Sequence, residues 1–139
     1  MDLPTASRGY EGNYGINFAG GGVKDMVIEE GTSGIWRYRK WHSGVAECWG
    51  TSGAVAVTIG NAWGSIYSRP DAIPSYSFPF TFADIPIVNV TPRKSGTVNY
   101  WVFSGTEATA AKTAPVSVAS PVSTGATVKV DFYVIGRWK

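Results

Sequence analysis

The sequence predicts an all-β domain built as an antiparallel β-sandwich. Aromatic and turn-forming residues are abundant, with six Trp, seven Tyr, six Phe and 17 Gly in 139 residues, whereas Leu3 is the single leucine. Such a composition favours strands and turns over helices. Short apolar runs that alternate with a period of two are separated by Gly or Pro, a pattern typical of a sandwich or a small barrel.

The N-terminal segment, residues 1–32, differs from the rest of the chain. Its stretch RGYEGNYGINFAGGG has neither the apolar period of a strand nor that of a helix, which indicates an extended, irregular segment. A disordered tail and an arm that becomes ordered on a neighbouring chain both fit this pattern. Tyr10, Tyr14 and Phe18 favour the arm because they could supply its attachment contacts. We therefore predict an attachment arm at 1–32 and a knob domain at 33–139.

The clearest element is a β-hairpin in residues 34–50, GIWRYRKWHSGVAECWG. Alternation in IWRYRKW places Trp36, Tyr38 and Lys40 on one face of the first strand and the arginines on the other. HSG supplies the turn, with Gly44 at the position that needs a positive φ, and VAECW returns as the second strand.

Further strands follow in order. AVAVTI at 54–59 and GSIYS at 64–68 are separated by GNAWG, which we predict to be a loop. The proline-containing stretch at 68–80 is expected to be loop or sheet edge, because proline cannot donate to a ladder. The second half predicts strands at FTF, IPIVNVT, TVNYWVFS, VSVAS and ATVKVDFYVIGRW, of which the last is the longest.

Charge and hydropathy exclude two classes of partner. Lys and Arg exceed Asp and Glu by 12 to 10, which gives a net charge of +2. The basic residues are scattered along the chain except around residues 37–40 and at 137–139, so we expect no nucleic-acid partner. No apolar run is long enough to cross a bilayer, and the N-terminal residues lack the pattern of a secretory signal, so we expect no membrane insertion.

The hairpin also raises the question of a nucleophile, because it holds His42, Glu47 and Cys48. A cysteine nucleophile needs a base within hydrogen-bond reach. However, His42 lies in the predicted turn, and Cys48 lies well along the returning strand with its side chain facing away from Glu47. We therefore interpret Cys48 as a buried packing residue, in line with the usual burial of free cysteines.

No other catalytic or metal site is predicted, and we expect a protein that is not an enzyme and needs no cofactor. One histidine and one cysteine do not make a transition-metal site. Ten acidic residues leave a carboxylate pair for glycoside hydrolysis open in principle, but no pair stands out. Asp71, Asp84, Glu107 and Asp131 are interpreted as solvated surface.

Two aromatic stretches are candidates for binding a sugar. Trp63 in GNAWGS is followed by Tyr67 and Arg69, and VNYWVF contains Asn99 and Tyr100. Aromatic faces stack on the C–H groups of a pyranose, while amide and guanidinium groups bind its hydroxyls. The alternative is that these aromatics fill the core or a subunit interface.

The stretch VIEEGTSGIWRYRKWHSGVAECWG resembles a motif that recurs in tail-fibre, tail-tip and other appendage proteins of bacteriophages and prophages. YSFPFTFADIPIVNVTPR and the closing VDFYVIGRWK are similar to the matching parts of those proteins, which often terminate in GRWK. The resemblance spans residues 27–139. The second half also resembles, more weakly, the H-type lectin domain, a trimeric antiparallel sandwich that binds sugars at subunit boundaries.

The resemblance implies a homotrimeric virion protein, an external appendage made in the host cytoplasm. Its knob would bind a host cell-surface glycan, and its arm would mount it on other virion structural proteins. The alternative that we keep is a capsid or tail decoration protein, including a head fibre, with a purely structural role and no ligand. A glycan hydrolase of the virion ranks third.

Overall fold

A computed structural model describes residues 16–17, 22–23, 25–94, 96 and 98–139. These residues form strands, turns and loops, which confirms the all-β prediction. No helix among them could span a membrane. The strands are β1 Ile16–Asn17, β2 Gly22–Val23, β3 Val27–Ser33, β4 Trp36–Trp41, β5 Val45–Thr51, β6 Val55–Ile59, β7 Asn61–Trp63, β8 Ile66–Ile73, β9 Ile87–Arg93, β10 Trp101–Phe103, β11 Val116–Ser120 and β12 Thr124–Arg137.

The larger sheet is antiparallel and is organised around β12. Its strand order is β3-β4-β5-β12, with β9 and β6 also paired to β12. The C-terminal half of β12 pairs with β5 and β9, from Asp131 opposite Thr51 to Ile135 opposite Ile87. The N-terminal half pairs with β6, from Thr124 opposite Ile59. The long alternating run at the end of the sequence therefore becomes the central strand of the sheet.

β5 pairs with the C-terminal half of β12 and β6 with its N-terminal half, and the pairing is irregular at Ser52 between them. The pairing shifts by one residue between Thr51, opposite Asp131, and Val55, opposite Val128. Ser52 repairs the ladder at this step, because its N–H donates to Val130 O at 2.9 Å and its hydroxyl accepts from Val130 N at 3.0 Å. The buried polar groups of the bulge are thus satisfied.

The smaller sheet has the order β10-β11-β8-β7, and every pairing in it is antiparallel. Although β7 and β10 are its two edge strands, the rings of Trp63 and Phe103 lie 5.1 Å apart. The sheet is therefore strongly curled, with side chains of opposite edges in contact. Together the two sheets wrap round one core in a half-barrel.

The core lies between the inner faces of the two sheets. Alternate residues of β12 point into it, so that Val128, Val130 and Val134 are fully buried while Tyr133 is 40% exposed. Both sheets contribute buried side chains, which are Trp36, Ala46, Cys48, Val57, Ile59, Ala72, Ile73, Val116, Val118, Val128, Val130, Phe132 and Val134. The burial of these apolar groups is the main stabilising contribution to the fold.

The predicted hairpin is confirmed as β4 and β5, joined by a turn at residues 42–44. Gly44 has the expected positive φ, of 103°. The C-terminal residues close over this turn, since Trp138 N donates to Gly44 O at 2.9 Å and Trp138 Nε1 donates to Trp41 O at 2.8 Å. The G-R-W-K segment therefore holds the turn in place.

Four details differ from the sequence predictions. β3 places residues 27–32, which the sequence assigned to the arm, in the larger sheet. The predicted loop GNAWG contains the short strand β7. FTF forms no strand, because Phe82 N donates to Ala110 O and the Phe80 and Phe82 rings pack on each other at 4.7 Å. TVNYWVFS is a strand only at Trp101–Phe103.

The largest difference is at β8, which continues through Pro70 where a loop or edge was predicted. β8 lies between β7 and β11. Its register with β11 shifts between Val116 and Val118, so Pro70 falls at a bulge where no ladder donor is required. Asp71 has a positive φ of 51° there, and its N–H donates to Ser117 Oγ at 3.0 Å.

Candidate functional site

The hairpin does not assemble a nucleophilic site. Cys48 is fully buried, and burial raises the pKa of its thiol to about 12, with the Glu47 charge adding to the effect. His42 lies exposed in the turn, where its backbone N–H donates to Met26 O at 2.8 Å. The thiol is therefore protonated at neutral pH and lies inside the core, as the packing interpretation predicted.

The outer face of the hairpin carries a charged and aromatic network. The Arg39 guanidinium lies 5.1 Å from the Trp49 ring centre and 5.7 Å from that of Trp41, and Arg39 Nε lies 3.4 Å from Glu47 Oε2. The Tyr133 hydroxyl donates to Glu47 Oε1. These cation–π and hydrogen-bond contacts join β4, β5 and β12 across the sheet, so the face stabilises the hairpin.

Trp63 and Tyr67 lie in the strands of the β7–β8 hairpin, whereas a loop was predicted at Trp63. Trp63 ends β7, is 54% exposed and packs on Phe103, while Tyr67 is half-buried against the core. Ala62 is opposite Tyr67, and Trp63 is opposite Ile66. Trp63 is thus in a strand, and its ring contact helps to close the curled sheet.

Arg69 lies on β8 and lines a broad, open groove. The groove has a volume of about 640 Å³. Small and hydroxyl-bearing residues of β6 and β12 line it, together with Gly96 and Val98 from between β9 and β10. The lining residues are Ala56, Val57, Thr58, Arg69, Gly96, Val98, Gly125, Ala126 and Thr127. We refer to it as the Val98 groove.

Asn99 and Tyr100 lie on the other side of Val98. They line a smaller depression of about 120 Å³ together with Pro92, Lys94 and Val98. Val98 is the wall shared by the two depressions. The structure therefore brings Arg69 close to the segment 98–100, which contains Asn99 and Tyr100 and is distant from Arg69 in sequence.

Tyr100 is positioned by the backbone of two strands. Its hydroxyl lies 2.7 Å from Arg93 O and 3.0 Å from Lys129 O, and accepts from Lys129 N at 3.3 Å. The hydroxyl is therefore engaged at the end of the β9–β12 ladder. The ring and the exposed amide of Asn99 remain as the surfaces that this depression offers to a ligand.

The surroundings of the Val98 groove are basic. Arg69 and Lys94 are exposed, and within the described part of the chain neither forms an ion pair. Arg93 is paired with Asp131 at 3.0 Å. The hydroxyl of Thr51, at 2.6 Å, and the Arg93 guanidinium hold the pKa of Asp131 below its usual value. Asp131 thus neutralises Arg93, whereas Arg69 and Lys94 have no ion-pair partner among the described residues.

Sequence reasoning missed the residues that give the groove its shape. Thr58, Thr127 and Val98 carry no local signal, because small and β-branched residues are ordinary in strands. Only the three-dimensional arrangement shows that they line the same depression as Arg69.

Metal-binding side chains and similarity to known proteins are two further indicators of function. Among the described residues, no group of three or more His, Cys, Asp or Glu side chains could hold a metal ion. Comparisons with models of protein families, with curated proteins and with solved structures gave no match.

Proposed function

We propose that this chain is the receptor-binding knob of a bacteriophage appendage, a non-catalytic virion protein that binds a host surface glycan. The bacteriophage assignment rests on the resemblance of residues 27–139 to appendage proteins. Glycan binding rests on the Val98 groove.

The observation that carries glycan binding is that Arg69 of β8 shares a groove with Val98, the residue directly before Asn99 and Tyr100. An open groove with a guanidinium, an amide and threonine hydroxyls offers the dispersed hydrogen bonds that sugar hydroxyls need. The charges of Arg69 and Lys94 favour a glycan that carries carboxylate or phosphate groups.

The knob would act as a homotrimer with a lectin-like sandwich fold and an N-terminal arm that mounts it on other virion proteins. Large apolar side chains are exposed on or beside the edge strands, namely Val27, Ile28, Trp63, Ile85, Ile87 and Trp101. Natural sheets normally protect their edges, and contact with other copies would cover these residues. The three shallow sites of one trimer, binding together, would convert weak sugar affinity into stable attachment. The proposed arm contacts Tyr10, Tyr14 and Phe18 lie outside the described residues.

The alternative, a decoration protein without a ligand, is favoured by a different observation. Trp63 packs on Phe103, Tyr67 packs against the core, and the Tyr100 hydroxyl is bonded to strand backbone. Three of the predicted sugar contacts therefore also have structural roles.

A glycan array separates these functions. The purified chain, displayed at high valency, is incubated with arrayed bacterial surface glycans, neutral and anionic. We expect binding to anionic glycans, reduced at least tenfold by Arg69→Ala because the groove loses its main charged donor. Arg37→Ala is the matched control, since Arg37 is also exposed but lies on β4 and does not line the groove.

The array has two unfavourable outcomes. The absence of any bound glycan at high valency supports the decoration protein. Equal loss of binding in both arginine variants means that only net charge matters, which rejects the Val98 groove as the site.

A further inference from the structure

A second cavity, separate from the Val98 groove and the smaller depression beside it, is lined by β9, by Phe132 of β12 and by the segments next to β9, β10 and β11. Its volume is about 230 Å³. Apolar side chains form most of its lining, and several polar side chains accompany them. The lining residues are Ile85, Pro86, Val88, Val90, Ser104, Thr106, Glu107, Ala108, Thr113, Ala114 and Phe132.

The apolar part of this cavity is formed by the larger sheet and by the segment that leads into β9. Val88 and Val90 contribute from β9 and Phe132 from β12, and Phe132 is 2% exposed. Ile85, in the segment leading to β9, is 47% exposed and extends the apolar surface. A ligand in the cavity therefore gains affinity by burying an aliphatic group.

Thr113 supplies a buried hydrogen-bond donor in the cavity lining. The residue is 2% exposed, and its Oγ1 accepts from Tyr76 N at 2.9 Å. Within the described part of the chain, its hydroxyl hydrogen has no acceptor. Because a hydroxyl both accepts and donates, Thr113 can donate to a ligand oxygen without losing its bond to Tyr76.

Glu107 supplies a negative charge. The residue is exposed and lines the cavity, and among the described residues no Lys or Arg lies within ion-pair distance of its carboxylate. The sequence interpretation of Glu107 as solvated surface is compatible with this position. Its carboxylate can accept hydrogen bonds from a ligand ammonium group, and charged hydrogen bonds are the stronger class.

We propose that this cavity binds an aliphatic α-amino acid derivative with a free amino group, its side chain on Val88 and Val90, its ammonium on Glu107 and its carbonyl on Thr113. Sites for drug-sized molecules usually measure about 300–1,000 Å³. The cavity, at about 230 Å³, is smaller and therefore suits a ligand of amino-acid size. An anionic ligand is disfavoured by Glu107, whose charge is opposite to that of the Val98 groove.

Binding of three small probes to the purified full chain tests the proposal, with saturation-transfer NMR as the readout. Leucinamide has the aliphatic side chain, the ammonium and the carbonyl. N-acetyl-leucinamide has a neutral and bulkier acetamide in place of the ammonium, and glycinamide lacks only the aliphatic side chain. We expect saturable binding of leucinamide and at least fivefold weaker binding of each of the other two.

Two variants locate the binding. Glu107→Gln is an exposed, nearly isosteric change and should reduce leucinamide binding at least fivefold while leaving the affinity for N-acetyl-leucinamide unchanged. Ala114→Leu fills the cavity and should abolish binding of all three probes. Thermal unfolding of both variants checks that they fold.

The proposal is overturned if leucinamide does not bind in the millimolar range, if it binds no better than its acetylated form, or if Glu107→Gln has no effect. Arg69→Ala should leave leucinamide binding unchanged. Because the two sites share no residue, failure here does not affect the proposed glycan receptor function, and the reverse also holds.

Discussion

The chemistry of Cys48 is decided by its burial between the sheets. Because the folded chain keeps the thiol protonated and inaccessible, we expect no reaction with a disulfide reagent such as DTNB at pH 8. The same chain unfolded in guanidinium should react completely, which provides the control. The measurement is the absorbance of the released thiolate against time, and rapid labelling without denaturant would contradict the burial of Cys48.

The hydrogen bond of Tyr133 to Glu47 leads us to expect that the stability of the fold decreases at alkaline pH. This hydrogen bond, with a contribution from burial, raises the pKa of Tyr133 above the usual 10.0. The folded state therefore holds the phenol proton more tightly than the unfolded state does. This stabilisation is complete below about pH 10 and is lost as the pH rises through the folded-state pKa.

Comparison with Tyr133→Phe isolates this effect. The variant lacks the titrating hydroxyl, so its free energy of unfolding should decline less steeply above about pH 10 than that of the wild type. Urea unfolding at a series of pH values measures the difference. Parallel declines in the two proteins would show that folding does not raise the pKa of Tyr133.

At the scale of elements, the hairpin depends on a close backbone approach at Gly50. A Cβ atom there would lie 2.1 Å from the carbonyl oxygen of Ile35, which is far inside contact distance. Gly50→Ala should therefore destabilise the fold by about 1–3 kcal/mol or more, because the backbone of the preceding turn must move. Gly105→Ala is the matched control, since a Cβ at Gly105 meets nothing within 4 Å.

Urea unfolding of these two glycine variants gives the comparison. We expect the midpoint of Gly50→Ala to fall well below that of Gly105→Ala, which should stay close to the wild type. Equal midpoints for the two variants would mean that the approach of Ile35 to Gly50 is not a constraint on the fold.

The strands that the sequence predicted best are those with an unbroken two-residue period and one buried face. β4, β5 and β12 are of this kind, and their alternation follows directly from core contacts such as Trp36, Cys48 and Val134. The second half of β8 was missed because its proline lies at a bulge, which depends on the partner residue Ser117 of β11. β3 was missed because exposed side chains predominate along it.

The candidate site was only partly predictable for a similar reason. Residue chemistry singled out Arg69, Asn99 and Tyr100, and the fold brings Arg69 close to the segment that contains the other two. It also singled out Trp63, whose partner Phe103 belongs to the opposite edge of the curled sheet. The curl of a sheet depends on long-range pairing, so a local pattern cannot separate a ring that binds ligand from one that closes a sheet.

For the whole molecule, the apolar residues at the sheet edges predict association. We expect light scattering after size exclusion to give about three times the 14.9 kDa mass of one chain. Replacing Ile87, which is 66% exposed on β9, with Lys should shift the mass towards that of a monomer if this edge takes part. A wild-type mass of one chain at high concentration would contradict the trimer.

The Val98 groove and the second cavity differ in charge. Arg69 lines the groove and Lys94 lines the depression beside it, whereas Glu107 lines the second cavity. This distribution favours binding of an anionic surface polymer at the Val98 groove over binding at the second cavity.

The most direct test of the central claim is to map where a glycan binds. The strongest ligand from the array is titrated into the isotope-labelled chain, and changes in the backbone amide NMR signals are assigned to residues. We predict that the affected amides cluster at 56–58, 69, 96–100 and 125–127, around the Val98 groove. Changes confined to the outer face of the hairpin or to the Trp63–Phe103 contact would contradict the claim.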